Sequence, residues 1–133
     1  SRMNTAQLSR RTGVPTATVR YYEKQQFLPP PTRTASGYRH YEADDVLRLT
    51  FIRRAKTLGF TLEEIRDLLA LSRADHGDMA AIRAAAASKL ADVEQRIAEL
   101  TRVRDGLQTL VSACPGHGAL DQCPILSALG GEA

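Results

Sequence analysis

Cys114 and Cys123 enclose Pro115-Gly116-His117-Gly118-Ala119-Leu120-Asp121-Gln122, and this glycine-containing loop is the part of the chain best suited to wrap an ion. Thiolates are soft ligands that favour Cu(I), Zn(II) and iron-sulfur centres. An iron-sulfur cluster needs more ligands than one loop supplies. Two thiolates alone suffice for Cu(I), Ag(I) or Au(I) in near-linear geometry, whereas Zn(II) asks for four ligands, usually tetrahedral. His117 lies inside the loop, and His76 or Asp78 brought by a second copy of the chain would complete a mixed sulfur, nitrogen and oxygen site for Zn(II), Cd(II) or Co(II). Each has a plainer reading: His117 as a solvent-facing loop residue, Asp78 as a helix cap. The expected ion is therefore a soft metal, Cu(I) or Zn(II), with the count of cysteines favouring Cu(I). A disulfide between the two cysteines is the redox alternative, disfavoured in a reducing compartment.

Such a loop needs a scaffold. A chain of 133 residues fits one small domain, or a compact head with one long helix appended. With 43% hydrophobic and 25% charged residues it belongs among folded proteins. No run of about 18 apolar residues occurs, so no membrane span is expected. No secretory segment is visible, and a cytoplasmic location follows as the expectation. No acid-base constellation and no phosphate-cradling glycine loop is present, which argues against an enzyme. The net charge of +3 hides an asymmetry: residues 1–60 carry 11 basic and 4 acidic side chains, residues 61–133 carry 7 and 11. The basic half suits a polyanion.

The basic half reads as a helix-turn-helix. Asn4 or Thr5 can cap a first helix through Arg11, Gly13 can end it, and Pro15 suits the entry to a second helix over 17–24. Pro29-Pro30-Pro31 then forces an extended chain, and Thr34-Ala35-Ser36-Gly37 supplies a turn before Tyr38-Arg39-His40-Tyr41. That hairpin is a wing, with Arg33 and Arg39 on either side of one turn. A third helix is expected from Glu42 to Leu58, with Val46, Leu49 and Ile52 on its apolar face, stopped by Gly59. Thr61 and Glu64 form a capping box for a fourth, carrying Leu62, Ile65, Leu68 and Leu69.

Residues 72–78 form the clearest break. From Met79 to Ser112 the chain lacks proline, is alanine-rich and repeats Leu90, Val93, Ile97, Leu100, Leu107 and Val111 at three-four spacing. Arg104 interrupts that seam, and Val103 or Leu110 can compensate. A helix of about 34 residues is about 50 Å long and has too little chain around it to bury such a stripe, so a second copy is the economical partner. The periodicity leaves parallel and antiparallel pairing open. The expected organisation is a DNA-binding domain over 3–71, a linker over 72–78, a dimerisation helix over 79–112, and a metal-binding loop with C-terminal anchor over 113–128.

The order of Thr12-Gly13-Val14, Thr18-Val19-Arg20-Tyr21-Tyr22-Glu23, Ser36-Gly37-Tyr38-Arg39-His40-Tyr41, Thr50-Phe51-Ile52-Arg53-Arg54-Ala55, Leu58-Gly59-Phe60, Cys114-Pro115 and Cys123-Pro124-Ile125-Leu126 resembles the MerR family of transcriptional regulators, in its heavy-metal-responsive branch. Nearly the whole chain is covered. The resemblance implies a mainly α fold: a winged helix-turn-helix head, a long antiparallel coiled-coil dimerisation helix and a short metal-binding loop. It implies a homodimer on double-stranded promoter DNA, with an inverted repeat around a long spacer. Metal binding would underwind the DNA into a geometry that RNA polymerase uses, turning a repressor into an activator.

Residue by residue, the resemblance carries Arg20 to the major groove, as a contact to a base edge or phosphate. Of Tyr21 and Tyr22, one would touch phosphate and the other pack inside. Arg33, Tyr38 and Arg39 match wing positions on the DNA backbone, and Arg53 matches a backbone contact from the third helix. Ala17 departs from relatives with a polar or basic residue there, so base preference at that position is expected to differ. Divalent-responsive members place a third cysteine at the start of the partner's long helix, where this chain has Met79. That departure resembles the branch sensing monovalent coinage metals, although the loop is one residue longer than in familiar copper sensors. A metallochaperone using the same cysteines without DNA is the alternative that the basic half argues against.

Overall fold

The computed structural model describes residues 2–73 and 77–130. Asn4 opens helix α1 (Thr5–Thr12) through a reciprocal cap: its side chain accepts from Gln7 N–H at 2.8 Å, and Gln7 Oε1 accepts from Asn4 N–H at 2.8 Å. Gly13 ends α1 in the left-handed region, φ 74, and its N–H donates to Ser9 O. Pro15 then leads into α2 (Thr16–Lys24), which makes the expected helix-turn-helix.

The wing is short. β1 (Thr32–Arg33) pairs antiparallel with β2 (Arg39–His40), and the register sets Arg33 opposite Arg39 as the turn spacing predicts. Met3 and Tyr41 exchange backbone hydrogen bonds at 3.0 and 2.8 Å, tying the chain start to the base of the wing.

Helix α3 (Ala43–Thr57) begins with a cap not foreseen from sequence, Glu42 with Asp45. Helix α4 (Leu62–Arg73) begins with the foreseen one: Thr61 N–H donates to Glu64 Oε1 at 2.8 Å and Glu64 N–H to Thr61 Oγ1 at 3.2 Å. α1 packs against α2 and α3, and α3 against α4, around Leu8, Val19, Leu49, Ile52, Ile65 and Tyr41, all essentially inaccessible to solvent. Burying each large aliphatic side chain contributes about 1.5–3 kcal/mol.

Two compact units divide the chain, Ser1–Ala86 and Ala87–Ala133. Helix α5 (Met79–Ala113) starts in the first, where Asp78 Oδ1 accepts from Ala80 N–H at 2.9 Å. In the second unit the three-four series of α5 is uncovered: Leu90, Ile97, Leu100 and Leu107 are more than half exposed. Beyond it a 3-10 turn (Leu120–Gln122) leads to α6 (Pro124–Gly130), a helix where the sequence suggested only a C-terminal anchor. Pro124 fits its first position because no N–H is needed there. Ile125 is half-buried, whereas Leu126 is 51% exposed. Among the described residues no helix is long and apolar enough to cross a membrane.

Candidate DNA interface and metal loop

The sequence of α2 sorts its side chains by face. Val19 and Tyr22, three apart, are buried, while Ala17, Arg20, Tyr21 and Lys24 are exposed at the spacing of a single helical face. The tyrosine pair therefore divides. Tyr21 is 48% exposed, and Tyr22 is 4% exposed with its ring against Tyr21 and Phe27. Burial raises the Tyr22 pKa, with Tyr21 adding to it. Of the two tyrosines, Tyr22 is therefore the one that packs inside and is not available as a DNA contact, because the buried face of α2 claims its ring.

The wing tip is built from its own polar groups. Gly37 takes φ 88, its N–H donates to Thr34 O at 2.9 Å, and its carbonyl accepts from Arg33 Nη1 at 2.8 Å. Tyr38 N–H donates to Thr34 Oγ1 at 3.0 Å, leaving the Tyr38 ring 72% exposed. Arg33 and Tyr38 thus stand at the exposed tip. Arg39 is turned inward: its Nε donates to Glu23 Oε2 of α2 at 3.2 Å. Tyr41, at the foot of the wing, donates its hydroxyl to the other Glu23 oxygen. Burial, reinforced by that hydrogen bond, pushes the Tyr41 pKa up to about 12. Arg53 is exposed on α3 beside the helix-turn-helix turn, its Nε 3.9 Å from where a Cβ on Gly13 would lie.

Glu23, Tyr41, Arg48 and Arg66 were not singled out from sequence. Glu23 and Arg39 are sixteen positions apart and Arg66 reaches back forty-one to Gln25, so no local spacing betrays them. The available signal was Glu23 inside the Tyr-Tyr-Glu run, an acidic residue on an otherwise basic helix.

In the second unit, Cys114 N–H donates to Leu110 O at 3.2 Å, fixing the first cysteine at the end of α5. Gly116 (φ 84) and Gly118 (φ 109) reverse the chain on either side of His117, and both angles disfavour any other residue. The 3-10 turn returns the chain to Cys123, whose carbonyl accepts from Ser127 N–H at 3.1 Å. Its sulfur accepts from the backbone N–H of Leu126, which lowers the thiol pKa; partial burial opposes this, and the Ile125 N–H and the Cys114 thiol add to the lowering. Both cysteines are free and half-buried. The fold therefore brings Cys114 and Cys123 together, while His117 stays exposed and outside the pair. Among the described residues no three His, Cys, Asp or Glu side chains converge as a metal site. Asp78 serves as the cap of α5, and His76 lies outside the described residues. Two adjacent thiols are a chemically suitable donor set for a soft ion.

Known proteins agree with this architecture. The family described as MerR HTH family regulatory protein matches residues 3–72, and one described as MerR, DNA binding matches residues 46–110. The HTH-type transcriptional regulator CueR of Yersinia pestis is 40% identical over 97% of this chain and 92% of its own length. HmrR of Rhizobium leguminosarum bv. viciae, also an HTH-type transcriptional regulator, is 43% identical over 96% of this chain and 97% of its own. Among solved structures, PbrR691 of Ralstonia metallidurans CH34 in complex with lead(II) superposes with a TM-score of 0.84 at 31% identity, covering 96% of this chain and 98% of that one. The chain belongs to the MerR family of helix-turn-helix transcriptional regulators, a DNA-binding and not an enzymatic family.

Proposed function

We propose that the protein is a metal-responsive regulator that sits on promoter DNA as a homodimer and senses a soft monovalent ion, Cu(I), Ag(I) or Au(I), through Cys114 and Cys123. The observation that carries this reading is the adjacency of two free thiols, one of them eased toward thiolate by the Leu126 and Ile125 N–H groups. A pair of thiolates satisfies a linear two-coordinate ion and leaves a tetrahedral one short of ligands. The uncovered apolar series on α5 supports pairing with a second copy.

On DNA, Arg20 and Tyr21 of α2 read the major groove and its phosphates. Arg33, Tyr38 and Arg53 hold the backbone, and Arg39 orients the wing. Metal closes the 114–123 loop, the two heads shift, and the dimer favours a distorted promoter that RNA polymerase accepts. A cytoplasmic location accords with this role.

One observation favours a second reading. The lead(II) complex of PbrR691 is similar across nearly the whole chain, which keeps a divalent ion such as Zn(II), Cd(II) or Co(II) in play. His117, with His76 or Asp78 of a second copy, would then complete the site, and Asp78 would have to leave its cap on α5.

An anaerobic competition titration of the reduced dimer with Cu(I) and Zn(II), using high-affinity chelators, decides between them. The expected result is one Cu(I) per protomer, held far more tightly than Zn(II), retained in His117→Ala and lost in Cys114→Ser or Cys123→Ser. Tight Zn(II) that disappears in His117→Ala overturns the monovalent reading.

A further inference from the structure

Two arginines grip the segment that leaves α2. The helix stops at Lys24 because Gln26 turns left-handed, φ 65, the one non-glycine residue to do so among those described. The turn satisfies the last helical carbonyls itself: Gln25 N–H donates to Tyr21 O at 2.9 Å, Gln26 N–H to Glu23 O at 3.1 Å and Phe27 N–H to Tyr22 O at 2.8 Å. Two further carbonyls are taken by other helices. Arg66 Nη2 of α4 donates to Gln25 O at 3.1 Å, and Arg48 Nη1 of α3 donates to Phe27 O at 2.9 Å.

The Arg66 guanidinium also lies 4.3 Å over the Phe27 ring, and Phe27 stands edge-on to Tyr22 of α2 with ring centroids 5.7 Å apart. Both cations sit at the carboxyl end of α2, where the helix dipole favours positive charge. A planar guanidinium can cover a ring with its face while donating in plane from its edge, a stacked geometry that a compact ammonium does not reproduce.

We propose that Arg48 and Arg66 form a clamp that sets the pose of α2 against α3 and α4, and that Arg66 is a positioning residue for DNA sequence discrimination. It acts through Phe27 and Tyr22 without touching DNA. The inference rests on reading α2 as the helix that enters the major groove. Base-edge hydrogen bonds need a precisely aimed helix, whereas phosphate contacts on flexible side chains tolerate a loosened one. Losing the clamp therefore costs specificity and spares non-specific affinity.

The full-length wild-type protein first selects a duplex from a random-sequence pool. Dissociation constants for that duplex and for a scrambled one are then measured against salt, for wild type, Arg66→Ala, Arg66→Lys and Arg66→Met. Arg66 is exposed, and thermal melts followed by circular dichroism check that each variant is folded. The expected result for Arg66→Ala is a roughly tenfold fall in the selected-to-scrambled affinity ratio, about one base-edge contact. The salt slope stays unchanged, and Lys or Met recovers only part of the ratio. Equal weakening on both duplexes with a shallower slope would make Arg66 a phosphate contact and overturn the proposal. An unchanged ratio in a folded variant overturns it too. Failure of the wild type to select any duplex overturns the DNA reading of α2 itself, and this inference with it.

Discussion

Arg39 Nε donates to Glu23 Oε2 at 3.2 Å, fastening the wing to α2 through an ion pair whose side chains are 30% and 10% exposed. The same carboxylate receives the Tyr41 hydroxyl, so one acidic residue joins the helix to both the wing strand and its foot. Its charge is matched locally, which lets a carboxylate sit on a helix whose other charged side chains, Arg20 and Lys24, are basic.

Glu23→Gln is expected to lower the unfolding free energy by about 1.5 kcal/mol, the scale of a charge-assisted hydrogen bond in a partly buried site. A double-mutant cycle with Arg39→Ala, read by urea unfolding at fixed protomer concentration, should return a coupling of about 1 kcal/mol. Simple additivity of the two substitutions would mean that the pair contributes nothing to the fold.

Tyr41 titrates at a pKa of about 12 in the folded chain, above its ordinary value of 10.0. The folded state thus holds this proton more tightly than the unfolded state. The resulting stabilisation is complete below pH 10, and is lost as pH rises through about 12. Tyr41→Phe should flatten the decline of stability over that alkaline window. A slope identical to wild type would assign the alkaline loss to other groups.

Gln26 holds φ 65 without being glycine. Gln26→Gly is expected to raise stability by about 0.5–1 kcal/mol, the left-handed penalty less the extra chain entropy of glycine. Gly13→Ala, at φ 74, should lower it by about 1 kcal/mol for the backbone alone, since the added Cβ meets nothing nearer than Arg53 at 3.9 Å. Thermal melts of the two variants should shift in opposite directions.

Arg104 interrupts the apolar series of α5 and pairs with Asp105 at 3.0 Å in an exposed ion pair, worth about 0–1 kcal/mol. Arg104→Leu is expected to tighten the dimer, and Leu100→Asp to dissociate it, in sedimentation equilibrium. A dimer indifferent to both would remove α5 from the interface.

The sequence alone determined much of what is local, although it left Asn4 and Thr5 as alternative caps of α1 and did not disclose the cap of α3, Glu42 with Asp45. The caps at Asn4 and Thr61, the stop at Gly13, the wing turn that sets Arg33 against Arg39, and the three-four repeat of α5 depend on residues within a few positions of one another. Short-range sterics and hydrogen bonding decide such features before any long-range contact forms. Tertiary structure decided which of two adjacent tyrosines is buried, because only the packing of α2 against the core separates Tyr21 from Tyr22. It turned Arg39 from the exposed wing toward Glu23 and brought Arg48 and Arg66 onto the end of α2. It also converted two cysteines separated in sequence into adjacent thiols, leaving His117 outside. These outcomes depend on through-space approach between distant segments, where charge and ring faces choose partners that spacing along the chain does not encode.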